Sequence, residues 1–326
     1  MVRVLSRADV RRALPMSAAI EAVRAAFVQL SAGAAEVPLR VSLPVEPHDG
    51  VTLFMPAYLQ DGDRMAVKIV SVFNQNPERG LPLIHALVVV VDAATGAPAA
   101  VMEGGYLTAL RTGAASGVAT DLLARPGVRT VTVFGAGAQG RTQLAAVCAV
   151  RPIETAWVYD LQPDQARAYS DEMAEQLGIP MRVAETPSEA AREGDVICTA
   201  TTSSTPVFED ADVSPGTHIN AVGAYTPEMQ EIPSGTVLRA KVVIDHREAS
   251  LAEAGDLILP LTQGLMTEDH IHAELGEVAA GHKVGRSTAA EVTVFKSVGV
   301  AVQDAAVAGA VLEAARRLDL GTEVEL

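Results

Sequence analysis

Hydrophobic positions change their period several times along the chain, and each change marks a new kind of element. Ser6 and Asp9 stand three apart, the spacing of a capping box, and Pro15 closes the short helix they begin. Met16, Ile20, Val23, Phe27 and Leu30 then recur every three or four residues, which predicts an amphipathic helix ending at Gly33. From residue 37 to 91 the pattern shortens to β-like runs at Val37–Val45, Val51–Met55, Met65–Val72 and Leu83–Val91. Polar and Gly/Pro turns separate them, and a mixed or mostly antiparallel sheet is expected. Leu107 to Leu123 reads as one helix of small residues.

Past Pro126-Gly127 the texture becomes a regular alternation. Val128–Phe134 flows into Gly135-Ala136-Gly137-Ala138-Gln139-Gly140 and the helix Arg141–Ala149. Ala156–Tyr159 is the next strand and ends at Asp160. Helix 162–176, a strand at Met181–Val183, helix 187–191 and strands Val196–Ala200, Ile219–Val222 and Val242–Ile244 follow. Strands alternating with helices predict a doubly wound sheet over residues 120–294. Residues 295–326 are too few for a domain, and their Ala-rich helix is expected to pack back on residues 1–119. The expected fold class is α/β, a Rossmann-like dinucleotide-binding domain at 120–294 with a discontinuous α+β domain from 1–119 and 295–326.

Composition narrows the function classes. The 326 residues are 49% hydrophobic and 20% charged, ample for two cores and unlike a disordered chain. The net charge is -15 and no block of Lys/Arg occurs, so nucleic acid is not an expected partner. Cys148 and Cys198 lie in apolar contexts, which argues against a disulfide framework or a Cys-based zinc site. The N-terminus has no signal-peptide apolar core, and Leu87–Val91 is too short to cross a bilayer. A cytoplasmic protein without a membrane partner is expected. His270 and His272 have ligand-like spacing but no third strong ligand; a loop or helix start is expected there, and no metal. Glu228 and Glu231 read as residues of a solvated short helix.

Two groups of residues carry candidate chemistry. Gly135, Gly137 and Gly140 form G-x-G-x-x-G between a predicted strand and helix, where glycines permit the tight turn, the approach of a pyrophosphate and close helix–strand packing. The helix start supplies N–H groups and a favourable dipole. Asp160, 23 residues past Gly137, suits a carboxylate on the adenosine ribose; it would repel a 2′-phosphate, and no arginine follows at once in Leu161-Gln162-Pro163. NAD(H) is therefore the preferred cofactor, with NADP(H) a secondary one. The second group is cationic. Lys68 interrupts the apolar run Met65–Val70, Arg111 sits among small residues, and Arg40 ends Val37-Pro38-Leu39-Arg40. A lysine in an apolar strand is costly unless paired or facing a cleft, and three such cations on separate elements suit an anion. Solvated surface positions are the alternative for each.

Several ordered blocks resemble the ornithine cyclodeaminase/mu-crystallin family over essentially the whole chain. They are Ala66-Val67-Lys68-Ile69-Val70, Leu107-Thr108-Ala109-Leu110-Arg111-Thr112-Gly113-Ala114, Gly135-Ala136-Gly137-Ala138-Gln139, Asn220-Ala221-Val222-Gly223, Glu253-Ala254-Gly255-Asp256-Leu257, Gly285-Arg286-Ser287 and Val294-Phe295-Lys296-Ser297-Val298-Gly299. The resemblance implies a homodimer whose first domain carries the dimer sheet and the substrate site and whose second binds a nicotinamide dinucleotide. It implies Arg40, Lys68 and Arg111 around a substrate carboxylate, with Arg111 and Thr112 also near the cofactor phosphates. Thr199, Ala200 and Thr201 would lie on the strand-end loop passing the dinucleotide, and Val222, Gly223, Phe295, Lys296 and Ser297 around the nicotinamide. Glu253 and Asp256 would organise the loop nearby.

The family includes cyclodeaminases, cyclic imine reductases, alanine dehydrogenases and opine-type dehydrogenases. Its cyclodeaminases carry an aspartate shortly after the Val-Gly pair and a glutamate before the Met-Pro pair. Here Tyr225 stands in the first place, and Leu53-Phe54 precede Met55-Pro56. A cationic distal amine wants a carboxylate to orient it and take its proton, whereas a tyrosine is neutral near pH 7. A cyclic imine acid needs only a clamp for its carboxylate and a hydride at C2. The expected activity is thus reduction of Δ1-pyrroline-2-carboxylate to L-proline, or of Δ1-piperideine-2-carboxylate to L-pipecolate. Arg111 and Arg40 would orient the carboxylate, and Lys68 would bind it or donate through water toward the imine. Ornithine cyclodeamination, alanine dehydrogenation and non-enzymatic binding of a dinucleotide or small carboxylate are the alternatives.

Overall fold

The structure, a computed structural model, describes residues 1–325. The chain opens with β1 (Val2–Leu5), a strand the periodicity does not reveal, and α1 (Arg7–Ala13). The Ser6–Asp9 capping box starts α1, with the Asp9 carboxylate accepting from Ser6 N at 3.0 Å and Ser6 Oγ accepting from Asp9 N. Pro15 is the N-cap of α2 (Met16–Ser31), whose Ile20, Val23 and Phe27 stripe is buried. Of the expected strand 37–45 only β3 (Val41–Val45) forms; it follows a two-residue β2 (Ala35–Glu36), and residues 37–40, with Pro38 unable to donate to a ladder, make the loop between them that carries Arg40. β4 (Gly50–Leu59), β5 (Arg64–Phe73), β6 (Ile84–Asp92) and β7 (Pro98–Glu103) follow, then the long helix α3 (Gly104–Leu123).

Next come β8 (Thr130–Phe134), α4 (Ala138–Val150), β9 (Thr155–Tyr159), α5 (Pro163–Leu177), β10 (Met181–Val183), α6 (Pro187–Glu193), β11 (Val196–Thr199) and β12 (His218–Ala221). α7 (Ser234–Arg239), β13 (Lys241–Ile244), α8 (Arg247–Glu253), α9 (Gly255–Thr262), β14 (Ile271–Glu274), α10 (Leu275–Ala279) and β15 (Thr293–Lys296) complete this stretch. All its strand pairs are parallel, in the order β10-β9-β8-β11-β12-β15-β13-β14. One apolar cluster gathers Val131, Val133, Leu144, Tyr169 and Met173, and a second gathers Phe134, Ile197, Ile219, Leu257 and Val294. Such burial of both faces is what a parallel, doubly wound sheet requires.

The chain closes with α11 (Ala301–Leu318) and β16 (Thr322–Val324), which join the first sheet, ordered β16-β1-β7-β6-β5-β4-β2 with β3 on β4. α11 packs on α2, β4 and β5. Its small residues allow the close approach: a Cβ at Gly309 would stand 2.8 Å from Arg64 Cδ.

Two compact units result, Met1–Arg111 with Val300–Leu326, and Thr112–Gly299. These divisions differ from the 119/120 and 294/295 read from the sequence. The first falls inside α3. The second shifts because Phe295 and Lys296 are not part of the returning helix: Phe295 is paired between Asn220 of β12 and Val243 of β13.

The thiols are free, Cys198 buried and Cys148 half-buried, and burial pushes both up to about 12. His270 closes a short 3-10 turn at Glu268–His270, whereas His272 lies within β14 rather than in a loop or helix start, and their Nε2 atoms bond to Val237 O and Val284 O. Among the described residues there is no group of three or more metal-ligating side chains, and no single helix is long and apolar enough to cross a membrane.

Candidate active site

The second unit holds a cradle made mostly of backbone. β8 runs straight into Gly135, whose φ of 99° lies in the region that favours glycine, and a Cβ there would come within 2.6 Å of Ala200 O. A Cβ at Gly140 would strike Gly135 O, whereas at Gly137 nothing stands within 4 Å, so the approach to the start of α4 is open. No side chain caps α4; the N–H groups of its first turn, at Ala138, Gln139 and Gly140, face that opening, and Gln139 Oε1 is buried without a partner. Asp160, at the end of β9, accepts from Ala136 N at 2.8 Å and Gln162 N at 2.9 Å. It thereby holds the glycine turn while lining a pocket of about 450 Å³ with Tyr159, Leu161, Arg167 and Glu185. Open glycine, uncapped helix and acidic strand end together fit a dinucleotide.

The strand-end loops beside this cradle are tied by a residue the sequence reading misplaced. Glu231 is not on a solvated helix but fully buried in an irregular segment, while Glu228 is exposed. The Glu231 carboxylate accepts from Thr199 Oγ1 (2.9 Å), Thr201 N (2.6 Å), Thr201 Oγ1 (2.8 Å), Gly223 N (2.7 Å) and Ala224 N (3.1 Å). Burial raises its pKa above the usual range, and the Lys296 charge and these donors oppose that rise. Asp256, also buried, accepts from Glu231 N and Ile232 N and pairs with Lys296 Nζ at 2.8 Å. Lys296 donates further to Ala224 O at 2.6 Å. Ser297 donates to Asp245, which also accepts from Val298 N and Gly299 N. Thr199, Thr201, Gly223, Lys296 and Ser297 are thus fixed in one hydrogen-bonded shell, with Ala200 and Val222 between them in sequence. Nothing in Gln230-Glu231-Ile232 distinguishes a buried carboxylate from a solvated one; three loops arriving from elsewhere bury it.

The first unit holds a cluster of charge. Lys68 lies mid-strand on β5, opposite Met55 of β4 and Val88 of β6, with its side chain only 2% exposed. Its Nζ donates to Asp304 Oδ2 at 2.8 Å. Arg111 donates from Nε to Asp304 Oδ1 at 3.1 Å and from Nη1 to Gln303 Oε1 at 2.6 Å. Burial lowers the Lys68 pKa to about 8; the Arg111 and Arg40 charges push it the same way, and Asp304 resists. Arg40, half-buried on its loop, adds to that lowering, and two buried cations, Lys68 and Arg111, share one carboxylate. A surplus of buried positive charge is expensive unless an anion joins it. Asp304 and Gln303 escape the sequence reading, although two polar residues just ahead of the apolar run Ala305–Leu312 are a visible signal. Tyr225, 40% exposed on the loop after Gly223, joins neither network; Thr112 is buried in α3 beside Arg111 in sequence.

Residues 2–318 match the ornithine cyclodeaminase/mu-crystallin family. The chain belongs to that family. The Δ1-pyrroline-2-carboxylate reductase of Bacillus cereus is 40% identical over 323 residues, covering 99% of both chains. The alanine dehydrogenase of Archaeoglobus fulgidus is 36% identical, over 99% of this chain and 98% of its own. The Δ1-pyrroline-2-carboxylate reductase of Thermococcus litoralis, solved in complex with NADH and L-proline, superposes with a TM-score of 0.96 at 46% identity, over 99% of this chain and 100% of the other. The expected α/β class with a Rossmann-like dinucleotide-binding fold stands for this member of the ornithine cyclodeaminase/mu-crystallin family.

Proposed function

We propose that this protein is an oxidoreductase acting on CH–NH groups, which reduces cyclic imine acids with NADH. Δ1-Pyrroline-2-carboxylate would become L-proline, and Δ1-piperideine-2-carboxylate L-pipecolate. The observation that carries the reading is the convergence of Lys68 and Arg111 on Asp304, with Arg40 close by, so that cations outnumber carboxylates in a buried place. The relatives named above, a pyrroline-2-carboxylate reductase at 40% identity and one solved with NADH and L-proline at 46%, support the same reaction.

The chemistry divides between the two networks. Arg111 has its Nε and one Nη1 proton engaged, and its remaining N–H groups serve the substrate carboxylate together with Arg40. Lys68, with a pKa near 8, is largely protonated at pH 7 and adds a point charge at Nζ. Fixing the carboxylate orients the adjacent C2, the atom that must accept hydride. A nicotinamide, when bound in reduced form, supplies that hydride. Ala138, Gln139 and Gly140 at the start of α4 would hold the pyrophosphate and Asp160 the adenosine ribose, while the loops fastened by Glu231 would flank the nicotinamide. The imine nitrogen takes its proton from solvent, since a cyclic imine is already basic. Tyr225 replaces the acid that a distal amine would require, so ammonia release from ornithine is not expected.

The chain is further read as a cytoplasmic homodimer, drawing on the cellular dinucleotide pool. The exposed apolar residues Val41 and Leu43, on one face of β3, support the dimer as apolar surface needing cover. The deciding experiment follows NADH oxidation with Δ1-pyrroline-2-carboxylate, Δ1-piperideine-2-carboxylate, and pyruvate plus ammonia, with ammonia release from ornithine measured in parallel. Rapid turnover of a cyclic imine without ammonia from ornithine supports the reading. Turnover of pyruvate plus ammonia alone would replace it with the alanine dehydrogenase reaction.

A further inference from the structure

We propose that Asp304 is a positioning residue for the reaction: by dividing its two carboxylate oxygens between Lys68 Nζ and Arg111 Nε, it sets which edge of the guanidinium and which ammonium protons meet the substrate. The inference rests on the carboxylate-binding reading of Lys68 and Arg111 given above.

The geometry is specific. Asp304 is 2% exposed in the first turn of α11, and its oxygens lie 2.8 Å from Lys68 and 3.1 Å from Arg111. Gln303, the preceding residue, takes an Nη1 proton of Arg111 at 2.6 Å. With Nε and one Nη1 proton committed, the guanidinium cannot rotate in its plane, and one edge remains for a ligand. Gln303 Nε2 is buried and has no partner, so a spare amide donor stands next to that guanidinium. A carboxylate ligand needs donors, and every group left free here is one.

The electrostatics point the same way. The charged groups acting on Lys68 are Arg111 from α3, Arg40 from the loop before β3, and Asp304 from α11. Its strand neighbours Met55 and Val88 are uncharged, and the face of α2 turned inward is apolar. Farther along β5, Arg64 pairs with Glu313 of α11. Asp304 is thus the group that opposes both burial and the two arginines, and without it Lys68 would lose its proton nearer neutrality.

The test reads Lys68 directly. The chain has four lysines, Lys68, Lys241, Lys283 and Lys296, so 13C-labelled lysine yields a spectrum in which Lys68→Arg assigns the signal. In the wild-type protein the Lys68 signal should titrate near 8. In Asp304→Asn it should titrate at least about one unit lower, and the basic limb of the kcat/KM profile on Δ1-pyrroline-2-carboxylate should move with it. Asp304→Glu keeps the charge but displaces it. It should leave the titration within about half a unit of wild type yet lower kcat/KM by about tenfold or more, as misplaced catalytic groups do. Gln303→Leu should raise KM without moving the titration. Full activity in Asp304→Glu overturns the positioning role, and so does an unmoved titration in Asp304→Asn; if Asp304→Asn does not fold, Asp304→Glu alone decides. The titration needs no substrate. A wild-type protein inactive on every cyclic imine would therefore overturn the functional reading separately, with the shifted titration still supporting Asp304's hold on Lys68.

Discussion

The cation cluster of the first unit and the glycine cradle of the second are both suited to an anion, and they are built of different materials. The cradle uses backbone N–H groups and three glycines packed into six consecutive residues. The cation cluster uses side-chain charge from residues 40, 68, 111 and 304, carried on a loop, a strand and two helices. Backbone donors have no net charge to bury, so the cradle needs one acidic residue, Asp160, chiefly to hold its turn. Charged side chains carry a desolvation cost, so the cation cluster needs Asp304 as an internal counter-charge. Sites of the first kind tolerate side-chain changes and fail on backbone clashes; sites of the second kind do the reverse.

The largest effect should come from the charged site. Arg111→Ala removes the guanidinium but leaves the Lys68–Asp304 pair, so the protein should fold while kcat/KM on the cyclic imine falls by about a thousandfold, in the range of a lost electrostatic clamp. Steady-state kinetics beside a circular dichroism melt check this, and an unchanged kcat/KM takes Arg111 out of the site. Next, Gly140→Ala drives a methyl into Gly135 O. NADH affinity, read by fluorescence titration, should weaken by about a hundredfold, the scale of a 2–3 kcal/mol backbone clash. If the comparison is right, Gly137→Ala, in open space, should do much less. Asp160→Ala should reduce the preference for NADH over NADPH by about tenfold, roughly one lost charge-assisted interaction; equal use of both cofactors by the wild-type protein would sink the ribose role.

The smallest effect per step concerns stability. His218, buried in β12, bonds Thr293 Oγ1 and Asn220 Oδ1, and burial lowers its pKa to about 3. Between pH 6.5 and that value the unfolded chain binds a proton that the folded chain refuses. Stability is therefore present above pH 6.5 and lost on acidification, by about 1.4 kcal/mol per pH unit. Urea midpoints measured from pH 7 down to 5 should fall in the wild type and fall less steeply in His218→Asn. Parallel slopes would show that other groups govern acid unfolding.

How much was legible follows from the same contrast. The Gly135–Gly140 turn, the alternation after residue 128 and the Ser6–Asp9 cap are local patterns, and each stands where the sequence places it. β1, β7 and β16 escaped because short strands acquire their identity from ladder partners: β1 is defined by β7 on one side and β16 on the other. Glu231 was misread and Asp304 overlooked for a related reason. A carboxylate is solvated by default, and only the arrival of Thr201, Gly223 and Ala224 around one, or Lys68 and Arg111 around the other, makes burial affordable.

The sequence by itself determined the α/β class, the position of the dinucleotide turn and the presence of unusual cations at Arg40, Lys68 and Arg111, because hydrophobic period, glycine geometry and misplaced charge are local properties. The tertiary structure alone decided that Lys68 and Arg111 share Asp304, with Arg40 in range, that Lys296 is spent on Asp256, and that Glu231 fastens the strand-end loops. Pairing of buried charge joins residues more than 200 positions apart in the chain, as between Lys68 and Asp304, and no periodicity along a sequence encodes which distant charges will meet.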